Sequence, residues 1–113
     1  MTIAINQPTY LPWIGYFDLI DQVDKFIFYD DVQIVKQSWG TRNQILTTNG
    51  KHWLSVPIDH SKKYYEKLYS NTYIKENNIW KLKHFKSIKY SYSKAPFFKD
   101  VITFIESLLF DNK

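Results

Sequence analysis

The sequence predicts an α/β fold: a β-α-β unit of a small, mainly parallel (Rossmann-like) sheet, with an inserted antiparallel β-hairpin and two C-terminal helices. Three observations carry this expectation. A short apolar run near the N-terminus leads into residues of helical period and then into a second apolar run. An Asn-Gly pair separates two strand-like segments in the middle of the chain. Two helical apolar patterns follow.

Thr2 to Asn6 reads as a buried strand, with Ile3 and Ile5 alternating around small Ala4. From Pro12 onward, Trp13, Tyr16, Phe17 and Ile20 recur at i, i+3, i+4 and i+7, and Leu19 and Val23 widen that face. Pro12 suits a first helical turn, where its missing N–H has no partner to lose. Gly15 weakens such a turn unless something must approach its backbone closely. Phe26-Ile27-Phe28-Tyr29 is an unbroken apolar run, the pattern of a strand covered on both faces in a parallel sheet. The crossover between the two strands is expected to be right-handed. Ligands in such sheets bind beyond the carboxyl ends of the strands, here the loops starting at Asn6-Gln7 and Asp30-Asp31.

Asn49-Gly50 lies between Arg42–Thr47 and His52–Pro57 and predicts a tight antiparallel hairpin. Residues 58–76 show no clear period, and Lys62-Lys63-Tyr64-Tyr65 reads as an exposed loop. Asn77 or Asn78 can cap a helix running to about Tyr90, with Leu82, Phe85, Ile88 and Tyr92 on one face. Pro96 opens the last helix, whose apolar stripe is Phe98, Val101, Ile102, Ile105, Leu108 and Leu109. That stripe calls for a partner, either a second copy or a further stretch of polypeptide.

At 113 residues the chain suits one modest core, and residues 1–113 are read as a single α/β domain. Apolar residues at 44% and charged residues at 23% mark a folded chain. Four Trp, nine Tyr and eight Phe exceed what so small a core can enclose. Either some rings line a groove or interface, or the excess reflects compositional bias. The absence of cysteine excludes disulfides, zinc–thiolate sites and cysteine nucleophiles. No charged-then-apolar leader and no apolar run of about 18 residues is visible, so a cytoplasmic location is expected.

The net charge of +4 is unevenly spread. Residues 1–60 hold four basic and six acidic side chains, whereas residues 61–94 hold nine Lys against Glu66 and Glu76. That basic block either attracts an anionic partner or forms a solvated helix face.

Asp30 and Asp31 directly follow the second strand. A carboxylate there can act as a general base, hold Mg²⁺ or bind a ribose hydroxyl; it can equally cap a turn. Gln33, Lys36, Trp39, Arg42 and Asn43 follow closely. Arg and Lys suit a phosphate or carboxylate, Gln and Asn add directional hydrogen bonds, and Trp offers a stacking face. An Arg–Asp ion pair beside a core Trp is the structural alternative. His52, His60 and His84 lack metal-ligand spacing, and His60-Ser61 carries no triad signature. No Walker loop or GxGxxG motif is present.

The blocks QPTYLPWIGYF, FYDDVQIVKQSW, TRNQI, LSVPI and YSKAPFF, in this order and spacing, resemble the WbqC-like protein family over nearly the whole chain. The family opening is typically His-Gln-Pro; here Asn6 precedes Gln7-Pro8. The resemblance implies a bacterial cytoplasmic protein, often encoded among genes for O-antigen (lipopolysaccharide) or other surface-glycan synthesis, and sets no reaction; a transferase-type enzyme modifying a sugar or nucleotide-sugar is the expectation. The resemblance marks Gln7, Tyr10, Trp13, Gly15, Asp31, Gln33, Lys36, Trp39, Arg42 and Asn43 as characteristic positions. Family members run longer, which implies that residues 1–113 are the N-terminal portion of a longer protein. Trp13-Ile14-Gly15-Tyr16 also stands where HxGH nucleotidyltransferases carry their motif, but with both histidines replaced. That departure removes the side chains which stabilise transferring phosphate.

The expectation is therefore an enzyme, or part of one, with Asp31 and Asp30 as catalytic carboxylates, and no cofactor assigned. Lys36 and Arg42 would clamp an anionic ligand such as a nucleotide-sugar, against the ring platform of Trp13 or Trp39. The alternatives are a binding or scaffold module that holds an anionic partner through residues 61–94, or an inactive remnant that dimerises through the last helix. Nucleic acid is not expected, because no recognised nucleic-acid motif is present.

Overall fold

The computed structural model of the chain describes residues 1–34, 38–59, 68–69, 72–75 and 77–111. Helices and strands mix as in an α/β protein, with one parallel strand pair and one hairpin. The chain divides into two compact units, Met1–Asn43 with Ser55–Lys75, and Gln44–Leu54 with Glu76–Lys113.

The first unit contains the β-α-β motif. Strand β1 (Ile3–Asn6) and strand β2 (Lys25–Phe28) pair in parallel, joined by helix α1 (Ile14–Gln22). The register sets Ala4 beside Phe26 and Ile5 beside Ile27. Asp24 ties the strand starts together: its carboxylate accepts from the Thr2 N–H at 2.7 Å, and its own N–H donates to the Thr2 carbonyl at 2.9 Å. Helix α1 lays Tyr16 against Phe26, ring centroids 5.5 Å apart, and Phe26 stacks edge-on with Phe28 at 5.1 Å.

The opposite sheet face departs from expectation. Ile3, Ile5 and Ile27 are exposed, so the apolar run of β2 is not covered on both sides among the described residues. An apolar run records a capacity for burial, whereas the covering element must come from elsewhere in the chain or from outside it.

Two stretches of the unpatterned region also enter this unit. Ile58 and Ile74 form an antiparallel bridge, with the Asp59 N–H on the Tyr73 carbonyl at 2.9 Å and the Lys75 N–H on the Pro57 carbonyl at 3.0 Å. Gln33 bridges Leu68, and the Tyr69 N–H donates to the Val32 carbonyl at 3.1 Å. Tyr16, Ile34 and Ile58 form its buried apolar centre. Lys36, His60-Ser61 and Lys62-Lys63-Tyr64-Tyr65 lie outside the described residues.

The second unit centres on Ile45, Leu54, Ile88 and Leu109, with His84 buried beside them. Strand β3 (Arg42–Thr47) and strand β4 (Gly50–Ser55) form the hairpin, Ile45 and Leu54 being its buried residues. The connection is Thr48-Asn49, one residue earlier than the Asn-Gly reading places it. Gly50 instead opens β4 at φ +102°, a left-handed conformation that glycine adopts without a Cβ clash. The Thr47 hydroxyl donates to the Gly50 carbonyl at 2.7 Å and accepts from the Asn49 N–H at 3.2 Å.

Helix α2 (Ile79–Tyr92) and helix α3 (Phe98–Phe110) pack together, Phe85 meeting Phe110 edge-on at 5.8 Å. The cap of α2 comes from Asn77, whose side-chain oxygen accepts from the Ile79 N–H at 3.1 Å; the adjoining Asn78 makes no cap bond. The Tyr92 hydroxyl accepts from the Leu46 N–H at 3.0 Å and ties the hairpin to α2. No helix among the described residues is long and apolar enough to cross a membrane.

Candidate ligand-binding site

The loop from Gln7 to Trp13 leaves the carboxyl end of β1 and is held from several directions. The Tyr29 N–H donates to the Asn6 carbonyl at 2.7 Å, which keeps the chain paired one step past β2. The Tyr16 hydroxyl donates to the Gln7 carbonyl at 2.8 Å, linking α1 to the loop entrance. The Tyr10 N–H reaches the Trp39 carbonyl at 3.1 Å. From the base of β3, the Asn43 side-chain amide donates to the carbonyls of Tyr10 at 3.1 Å and Leu11 at 2.7 Å. Leu11 needs such support, because its φ of +46° is strained for a residue with a branched side chain.

Holding this loop open leaves a cavity of about 350 Å³ at the carboxyl ends of β1 and β2. Its polar lining is Asn6, Gln7, Thr9, Ser38 and the phenols of Tyr29 and Tyr69; Trp39 adds an aromatic face. Among the described residues, none that lines it is Asp, Glu, Lys or Arg. The Ser38 hydroxyl is buried without a hydrogen-bond partner among the described residues. A buried hydroxyl in that state costs the fold stability.

A second, more apolar cavity of about 300 Å³ shares Pro8, Thr9, Gly40 and Tyr69 with the first. Ile34, Val56, Ile58 and Tyr10 line it further. Burial pushes the Tyr10 hydroxyl up to about 12, so it stays protonated at neutral pH. Burial raises the Tyr16 hydroxyl as well. The Tyr69 phenol sits directly against Gly40, where any Cβ would overlap it. Glycine at this position therefore lets Tyr69 stand between the two cavities.

The predicted site residues separate into groups. Gln7 and Trp39 line the polar cavity, and Tyr10 lines the apolar one. Asp30 and Asp31 are exposed just beyond Tyr29 and line neither cavity, and exposed Gln33 is held in its bridge to Leu68. Trp13 is 70% exposed, and its ring lies over Gly15, so the open side of that glycine is filled from within the chain. Arg42 is half-buried at the start of β3, and Asn43 supports the loop. Lys36 lies outside the described residues. Sequence reasoning passed over Asn6, Thr9, Tyr29 and Ser38, although each adjoins a residue it selected. Tyr69 carried no signal, since it comes from the unpatterned stretch 58–76. Among the described residues no three His, Asp or Glu side chains converge.

Residues 7–113 match the WbqC-like protein family, beginning at Gln7 itself. The chain belongs to the WbqC-like protein family. This WbqC-like chain is also similar to the "Uncharacterized protein Rv1507c" of Mycobacterium tuberculosis (strain ATCC 25618 / H37Rv), with 35% identity over 111 residues. The match covers 98% of this chain and 47% of that protein, so the chain spans about half the length of the relative. No solved structure matches the WbqC-like chain.

Proposed function

We propose that the cavity beyond β1 and β2 binds the sugar ring of a sugar or nucleotide-sugar, as part of an enzyme of O-antigen or other surface-glycan synthesis. The observation that carries this reading is the wall chemistry. Among the described residues, amides from Asn6 and Gln7, hydroxyls from Thr9 and Tyr29, and the Trp39 ring are neutral groups that pair with ring hydroxyls and cover an apolar ring face.

In this reading Asp31, with Asp30 beside it, supplies the acid–base carboxylate from the exposed stretch just beyond Tyr29. Arg42 contributes positive charge toward a phosphate of the ligand. The transferase-type reaction is proposed of the whole protein, of which these residues would be the N-terminal portion. The surface-glycan role that the resemblance implies motivates the choice of substrate class.

Titration with a panel of nucleotide-sugars and their free sugars, followed by tryptophan fluorescence in a Trp13→Phe background, tests the reading. A saturable response that weakens about tenfold in Gln7→Ala, the scale of one lost polar contact, and disappears in Trp39→Ala is expected. A flat response to every sugar with folded protein would overturn it.

A further inference from the structure

We propose that the outward face of α2 seats the protein on an anionic lipid surface. This surface lies in the second unit and is independent of the sugar site. From Asn77 to Lys99 the sequence contains six lysines and no acidic residue. Lys83, Lys86 and Lys89 recur at three-residue steps on α2, and all three are exposed, as is Lys94 just beyond the helix. Among the described residues none of these four meets a carboxylate. Neighbouring lysines at such spacing repel one another, and this helix lacks the interleaved glutamates that ordinarily relieve the repulsion. An external array of negative charge relieves it instead.

The apolar residues decide which polyanion fits. Ile79 (65% exposed), Leu82 (45%) and Tyr90 (79%) share the outward face with these lysines. Their spacing of i, i+3 and i+11 puts them on one stripe, opposite the buried His84 and Ile88. Phosphates of a nucleic acid would use the lysines and could stack on Tyr90, but would leave Ile79 and Leu82 in water. A lipid surface uses all of them. The apolar side chains enter the headgroup boundary, and the lysine stems lie beside them with their ammonium groups at the phosphates. The shallow depression formed by Lys86, Ser87, Lys89, Tyr90 and Ser93 offers two cations and three hydroxyls to a single headgroup phosphate. The helix does not insert across the bilayer; it lies along the surface.

Co-sedimentation of the full chain with phosphatidylcholine vesicles, with and without phosphatidylglycerol, reads this directly. Partition onto the phosphatidylglycerol vesicles is expected, with little onto phosphatidylcholine alone. Each lysine is worth about a fivefold change in partition, so Lys86→Gln/Lys89→Gln should bind roughly 25-fold more weakly. Ile79→Asn/Leu82→Gln should weaken binding further at raised salt, where charge is screened. These side chains are exposed, and circular dichroism of each variant checks that the helices are retained. Absence of phosphatidylglycerol-dependent binding by folded protein, or indifference to either pair of substitutions, overturns the proposal. Displacement from vesicles by a single-stranded oligonucleotide at equimolar phosphate would overturn it in favour of a nucleic-acid surface.

Discussion

Asn43 shows how a residue's chemistry can be legible while its assignment is not. Its amide is a directional donor, which fits a ligand contact, but both amide hydrogens go to the carbonyls of Tyr10 and Leu11. The residue thus acts on the site through the loop. Asn43→Ala leaves two part-buried carbonyls short of a donor and releases the strained Leu11. Urea denaturation should show a loss of about 1–3 kcal/mol, and Asn43→Asp should lose at least as much, since a carboxylate would face the same two carbonyls. Gln7, just after a strand end, and Trp39, in the loop after β2, line the cavity wall. Gly15 does allow a close approach, but the approaching group is the Trp13 ring.

Elements were easier to foresee than their ends. The β-α-β order, the hairpin and both final helices follow from apolar period and turn chemistry, whereas the hairpin connection shifts by one residue. The last helix begins two residues after Pro96, preceded by Phe97 at φ +62°, with no side-chain cap. A left-handed aromatic costs about 1 kcal/mol relative to glycine there. Phe97 is 78% exposed and gives back little through burial. Phe97→Gly should therefore raise stability by roughly 0.5–1 kcal/mol, after allowing for the looser unfolded chain, and lift the thermal midpoint by a few degrees. The apolar stripe foreseen on this helix also divides: Ile102, Ile105 and Leu109 turn inward, while Val101 and Leu108 are exposed.

At the scale of the whole molecule, stability should fall in alkali for an identifiable reason. The Tyr10 hydroxyl titrates near 10 in the unfolded chain and near 12 when folded, because burial disfavours the phenolate. Above pH 10 the unfolded chain releases this proton first, so unfolding becomes progressively easier up to about pH 12. Below pH 10 the contribution is fully present. Tyr16 acts in the same direction. Urea melts from about pH 8 to pH 11.5 should show the decline, and Tyr10→Phe should flatten it.

The local elements, the basic character of α2 and the family are legible in the amino-acid order, because helical period, turn residues, charge and motif order are written in neighbouring positions. Which side chains share the cavity depends instead on long-range packing. Tyr29, Ser38, Gly40 and Tyr69 meet there because backbone bonds such as Tyr69 to Val32 and Tyr10 to Trp39 join segments far apart in the chain. Likewise Ile3, Ile5 and Ile27 on one face of the parallel pair are exposed among the described residues, since a covering partner is a non-local fact that no apolar run encodes.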